Sequence, residues 1–167
     1  MKKIRIALFV LTVLALAVGI GSAGDEEKPW FDLTNCSMCK NLAEEGLIEH
    51  LEWENHLIKN GLITVSRVDE EYEEAMKRAE QKMTAVAAKL QSGEQVPLCG
   101  FCMSYGKLMM AGVQMEEIES EFGHITLMTA SDPELVKMIH AHGQHTIDAY
   151  EEWQEAAEAA GHSGAGD

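Results

Sequence analysis

The chain has few positive charges for its length. Its 13 lysine and arginine residues are outnumbered by 28 aspartates and glutamates, which gives a formal net charge of −15 at pH 7. A surface of this sign repels the phosphate groups of nucleic acids and the headgroups of anionic lipids, whereas it attracts cations. The composition therefore predicts a soluble protein with no nucleic-acid partner.

The chain also lacks an apolar run of the length that spans a bilayer. Its run at residues 6–20 holds 15 residues, whereas a spanning helix needs about 20. Two lysines and an arginine precede this run, and the small residues 21–23 follow it. This order is typical of a secretory signal. We expect residues 1–23 to be a cleaved signal peptide. The mature chain is then exported, periplasmic or extracellular, and free of the membrane.

Motifs of the common catalytic classes are missing as well. The sequence contains no Ser-His-Asp order, no glycine-rich phosphate loop and no zinc-protease motif. Loss of the signal peptide removes three positive charges and no negative ones, which changes the formal charge from −15 to −18. The sequence favours a non-catalytic, acidic protein.

Two blocks of the chain are similar to each other. A shift of 63 residues superposes the first pair of cysteines on the second, and a shift of 62 superposes NGLIT at 60–64 on FGHIT at 122–126. Such self-similarity indicates a duplication. We predict a single α+β domain over residues 24–160. It consists of two repeats, at about 30–92 and 95–157, and a disordered tail follows at 161–167.

Each repeat has the pattern of a helix, two strands and a second helix. In the first repeat we predict a helix over 36–50, a hairpin with a type I′ turn at Asn60-Gly61, and a long helix capped by Asp69. One hairpin alone is marginal, but two hairpins can join into one sheet. The predicted fold is therefore α+β, with internally duplicated helix-strand-strand-helix units forming one antiparallel sheet and helices packed on it. If an apolar face of this sheet is exposed, it would pair two copies as a homodimer.

The four cysteines form two C-x-x-C pairs, Cys36 with Cys39 and Cys99 with Cys102. Each pair stands at the predicted start of a helix, where this spacing places both sulfurs on one side of the first turn. Two such arms that face each other can enclose one ion tetrahedrally, as in structural zinc sites. The sequence therefore predicts a metal site with zinc as the first choice and copper as the second. Cadmium and iron accept the same ligands.

The segment CSMCK followed by NLAEE resembles the active-site turn of the thioredoxin family, over about ten residues. The resemblance implies a thiol–disulfide oxidoreductase, in which Cys36 attacks and Cys39 resolves. That family also places a cis-proline beside its cysteines. Here Pro29, Pro97 and Pro133 all fall outside the strand where that fold needs one.

A third interpretation assigns the cysteines to disulfides in a binding module without chemistry of its own, as is common in exported proteins. Links such as Cys36 to Cys99 or Cys39 to Cys102 would close loops of about 60 residues and stabilise the fold by roughly 4 kcal/mol.

Histidines 140, 142 and 145 supply further candidate ligands. Because a helix turns by about 100° per residue, His142 and His145 share a face and His140 points elsewhere. We keep His142 and His145 as reserve metal ligands. The alternative is that His142 is a hydrogen-bonded core residue and that the other two are exposed.

Overall fold

The computed structural model describes residues 28–120 and 123–159. This part of the chain forms one four-stranded antiparallel sheet with helices, so the predicted α+β class is confirmed. The predicted signal peptide and tail lie outside the described residues. Within the described ranges, no helix combines the length and the apolar character needed to cross a bilayer.

The sheet is built from two hairpins joined along their second strands, in the order β1-β2-β4-β3. A short 3-10 turn, Glu70–Tyr72, precedes the second helix. The elements in chain order are α1 (Lys40–Glu44), β1 (Leu51–Ile58), β2 (Gly61–Val68), α2 (Glu73–Gln91), α3 (Gly100–Ala111), β3 (Gln114–Ser120), β4 (Gly123–Thr129) and α4 (Pro133–Ala159).

The two hairpins have corresponding registers. Ile58 pairs with Gly61 at the end of the first hairpin, and Ser120 pairs with Gly123 at the end of the second. The shift of 62 residues equates these two pairs. At the centre of the sheet it also equates Thr64 with Thr126, which lie opposite each other in β2 and β4. The duplication itself stays a prediction.

The predicted type I′ turn is wrong, although the hairpin is present. Its loop is Lys59-Asn60, and neither Asn60 nor Gly61 has positive φ. Gly61 is needed for a different reason, because a Cβ at this position would collide with the carbonyl oxygen of Met128 on the neighbouring strand. Glycine thus permits a close approach of two backbones rather than a turn.

The first helix is shorter than the predicted 36–50. Residues 37–39 form a turn before the helix begins at Lys40, and the chain leaves the helix at Gly46, whose φ is +72°. Asp69 does not cap α2 with its side chain. Its carboxylate instead accepts a hydrogen bond from His50 at 2.8 Å, and the helix begins after the 3-10 turn. A tertiary partner has therefore replaced the local capping interaction.

All described helices pack on the same face of the sheet. Leu62 and Met128 on this face contact α3 and α4 through Leu108 and Ile139, and Val68 contacts the cluster between α1 and α2. The other face carries half-buried aliphatic side chains on the two central strands. They are Ile63, Val65, Ile125 and Leu127. Pairing of two copies across this face stays a prediction.

Candidate metal centre

The four cysteine sulfurs form one cluster. All four Sγ atoms are within 4.8 Å of one another. Cys39 Sγ lies 3.4 Å from Cys102 Sγ and 3.6 Å from Cys99 Sγ, and Cys36 Sγ lies 3.6 Å from Cys102 Sγ. The fold therefore brings together two pairs that are far apart in the sequence.

The spacing of these atoms fits a tetrahedral ion. With zinc–sulfur bonds of about 2.3 Å, the sulfurs of a regular tetrahedron are about 3.8 Å apart. The three contacts of 3.4 to 3.6 Å need to lengthen by only a few tenths of an ångström. All four residues are free cysteines, and all except Cys102 are buried. They can therefore supply four thiolate ligands with little movement of the chain.

Backbone hydrogen bonds hold the two cysteine segments together. The Ser37 N–H donates to the Pro97 carbonyl at 2.9 Å, which joins the first pair to the loop before the second. The N–H groups of Gly100 and Phe101, in the first turn of α3, donate to the carbonyls of Pro29 and Trp30. We call residues 28–33 the N-terminal strap. Its carbonyl groups accept hydrogen bonds from N–H groups in the first turn of α3, directly after Cys99.

Trp30 anchors this strap to α4. Its indole ring stacks on His145, with ring centroids 3.9 Å apart and planes 18° from parallel. Its Nε1–H donates to Thr146 Oγ1 at 3.3 Å. The ring also lies so close to Gly100 that a Cβ there would be 2.9 Å from it. The strap, α3 and α4 thus fix one another's positions around the cysteines.

Two polar side chains shape the turn that carries the first pair. Asp32 accepts hydrogen bonds from the N–H groups of Thr34 and Asn35, at 3.0 and 2.7 Å, as in an Asx turn. The hydrogen bond from the Asn35 N–H is the main cause of a lowered pKa at Asp32. Asn41 is buried and donates its amide to the carbonyls of Ser37 and Met38, both at 2.8 Å. These bonds replace the helix that was predicted to begin at residue 36.

Apolar side chains surround the sulfurs. Leu33, Met38, Leu98 and Phe101 pack against the buried cysteines. Lys28 reaches the edge of this cluster, where its Nζ lies 3.4 Å from the Leu98 carbonyl oxygen. Apolar surroundings exclude water and strengthen charge interactions between ligands and an ion.

The two cysteines of each pair have opposite pKa shifts. A hydrogen bond with Cys102 is the main cause of the lowered pKa of Cys36. Cys99 has its own hydrogen bond with Cys102, and this bond is the main cause of its pKa being lowered to about 6. Hydrogen bonds with the other thiols, led by that with Cys36, raise the pKa of Cys102. For Cys39, the hydrogen bond with Cys102 lowers the pKa, but hydrogen bonds with Cys36 and Cys99 and burial outweigh it, so the pKa is raised.

Backbone N–H groups add to the lowering at the first cysteine of each pair. The Cys36 thiol accepts the N–H of Cys39, and the Cys99 thiol accepts the N–H of Cys102. The pKa is therefore lowered at the first cysteine of each pair and raised at the second. A cation that binds all four sulfurs as thiolates displaces the protons that they still carry.

The candidate histidines have other contacts. His142 Nδ1 is hydrogen-bonded to Ser104 Oγ at 3.0 Å, and His145 stacks on Trp30. His140 Nε2 donates to the Ile58 carbonyl at 2.8 Å. Among the described residues, the group of close potential ligands consists of the four cysteines. A ligand role for His142 or His145 stays a prediction.

Sequence reasoning did not identify Asn41 or Trp30 as parts of this site. An amide two residues after a C-x-x-C pair is a weak signal, because asparagine is common at helix starts. Trp30 contacts residues of α4, which lie more than 70 residues away in the sequence. No local sequence pattern reveals such contacts.

Comparisons with known proteins give no relative. No protein-family model matches the chain, and neither the curated proteins nor the solved structures contain a match.

Proposed function

We propose that this protein is an exported, non-catalytic metal-binding protein that holds one soft or borderline ion through Cys36, Cys39, Cys99 and Cys102. The observation that carries the proposal is the meeting of four cysteine sulfurs within 4.8 Å, in apolar surroundings. Four thiolates in tetrahedral arrangement are typical of zinc, and cuprous copper accepts the same soft ligands. We propose zinc first.

Export is supported by the sequence alone. The basic, apolar and small-residue order of residues 1–23 is typical of a signal peptide. Fractionation of expressing cells, with mass spectrometry of the N-terminus, tests this part separately. The expected mature N-terminus is Gly24. A chain that starts at Met1 and remains in the cytoplasm would contradict export without affecting the metal site.

The metal content of the purified protein tests the binding proposal. Protein isolated from the export compartment without reductant or chelator should contain about one ion per chain by plasma mass spectrometry. After chelation in denaturant, four thiols should react. Cobalt should replace the native ion and give the strong visible absorption of a tetrahedral tetrathiolate site. Protein that contains neither metal nor free thiols would rule the proposal out.

A second candidate, the disulfide-stapled module, is favoured by one observation. The contacts Cys36–Cys102 and Cys39–Cys99, both at 3.6 Å, use each cysteine once. The sulfurs would therefore move only a short distance when an oxidant converts the four thiols into two disulfides between the cysteine pairs. The thiol count above separates this candidate from the metal site. The thiol–disulfide exchange alternative would instead require reversible reduction of one pair near the potential of glutathione.

A further inference from the structure

An apolar cleft of about 580 Å³ lies next to the cysteine cluster. Its walls come from the N-terminal strap, β1, α2 and the C-terminal part of α4. Cys39 and Phe101 line it where it borders the metal centre, and Met76 and Met83 of α2 line it as well. A volume of this size is within the range of pockets that bind small molecules, about 300 to 1,000 Å³.

Several aromatic rings line the cleft, and they hold one another in place. The Trp53 ring is at their centre, with ring centroids 5.9 Å from Phe31, 5.5 Å from Phe101 and 6.2 Å from Tyr150. The interplanar angles of 63°, 87° and 77° are those of edge-to-face contacts. The wall is therefore formed before any ligand arrives, which reduces the ordering cost of binding.

The remaining walls can adapt to the shape of a ligand. Met76 and Met83 have flexible, polarisable side chains that fill irregular spaces. Trp153 lines the cleft and is 40% exposed, so an indole ring is accessible from solvent. Adaptable side chains together with a rigid aromatic wall suit a flat apolar molecule.

The polar groups of the cleft disfavour an anionic or strongly polar ligand. Asp32 is in its lining, but its carboxylate already accepts the N–H groups of Thr34 and Asn35. Within the described residues, no buried side-chain nitrogen or oxygen lacks a hydrogen-bond partner, and the lining contains no lysine or arginine. An anion would therefore find no countercharge on this acidic chain.

We propose that this cleft binds one uncharged, apolar small molecule that contains an aromatic ring. Trp53, Phe101 and Tyr150 supply the ring-binding wall, and Met76 and Met83 add adaptable apolar contacts. Recognition rests on shape and apolar contact.

Titration of the purified exported protein with N-phenyl-1-naphthylamine tests the proposal. This uncharged dye fluoresces in apolar sites, and saturable binding of one dye per chain is expected, with loss of tryptophan emission. Dodecanoate, an anionic chain, should fail to displace the dye at equal concentration. Dye binding that does not saturate, or displacement by dodecanoate at equal concentration, would overturn the proposal.

Two variants locate the bound dye. Met83→Glu places a charge in the wall and should weaken dye binding at least about tenfold. Met110→Glu is the matched control, because Met110 is 83% exposed and outside the cleft lining, and its affinity should be unchanged. Trp153→Ser, at a half-exposed position that does not threaten folding, should also weaken binding. Equal affinities in all three variants would place the dye elsewhere and refute the site.

Discussion

The Sγ atoms of Cys39 and Cys102 lie 3.4 Å apart although 63 residues separate them along the chain. This contact is the shortest of the three that join one cysteine pair to the other. An ion bound between them would close a long loop of the unfolded chain, and the entropy of loop closure makes such a cross-link stabilising. Metal binding and folding should therefore be coupled in this protein.

Removal of the metal should lower the free energy of unfolding. Because an ion that binds only the folded chain stabilises it by mass action, zinc at about 1,000 times its dissociation constant should contribute about 4 kcal/mol. Urea unfolding with saturating zinc and with a chelator measures this difference. Cys39→Ser should abolish it, whereas the volume-conserving Met103→Leu, directly after Cys102 in the chain, should retain it. A chelator effect of equal size in Cys39→Ser would show that zinc acts elsewhere.

Gly61 should tolerate no side chain. Because a Cβ at this position would collide with the Met128 carbonyl, Gly61→Ala should destabilise the protein by about 3 kcal/mol. Gly106→Ala is the matched control, since nothing lies within 4 Å of a Cβ there and Gly106 is inside α3. It should stabilise by about 0.5 to 1 kcal/mol. Urea denaturation of both variants provides the comparison, and equal effects would contradict the close approach at Gly61.

The strands were the most predictable part of the fold. The hairpin predicted around Asn60-Gly61 is present, because β1 and β2 pair up to Ile58 and Gly61 on the two sides of the loop. The meeting of the cysteine pairs also followed from sequence, because repeated positions can face each other across a joined sheet. These features depend on local patterns and on the similarity of the two blocks.

Features that depend on distant partners were not predictable. Asp69 has the sequence context of a helix cap, but its carboxylate bonds to His50 on the other side of the hairpin. The helix predicted from residue 36 gives way to turns, which Asp32 and Asn41 stabilise through side-chain hydrogen bonds. In each case a specific tertiary or turn contact is stronger than the weak propensity of a short segment.

The position of α2 should depend on Glu45. Hydrogen bonds from Lys82 and Arg78, at 2.7 and 2.8 Å, lower the pKa of this carboxyl and tie α2 to α1. Glu45→Gln should therefore increase amide hydrogen exchange throughout α2. Glu74→Gln is the control, because the ion pair of Glu74 with Lys77 lies within α2 and does not connect α2 to α1.

High salt separates this effect from a packing change. Salt screens the lysine and arginine ends of these ion pairs, which are 44% and 56% exposed, more than the Glu45 end, which is 13% exposed. The difference in exchange between Glu45→Gln and the unaltered protein should therefore become smaller in about 1 M salt. A difference of unchanged size there would show that the glutamine disturbs packing rather than charge.

The stability of the metal-free protein should fall as the pH drops below 6.5, the ordinary pKa of a histidine. Burial, with a smaller contribution from the nearby His145, lowers the pKa of His142 from 6.5 to about 4. His142 is 3% exposed and hydrogen-bonded to Ser104, so the folded state keeps it neutral. Below pH 6.5 the unfolded chain takes up a proton that the folded chain does not bind, and this difference favours unfolding.

The expected loss through His142 is about 3 kcal/mol between pH 7 and pH 4, since each unit of pKa shift corresponds to about 1.4 kcal/mol. Urea unfolding across this range, with chelator present throughout, keeps metal-linked protons out of the measurement. His142→Gln can retain a hydrogen bond to Ser104 and should remove this part of the pH dependence. His56→Gln, at a side chain that is 57% exposed, should leave it unchanged. If the two variants keep the same slope between pH 7 and pH 4, the proton taken up on unfolding belongs to another group and His142 is not the buried neutral base.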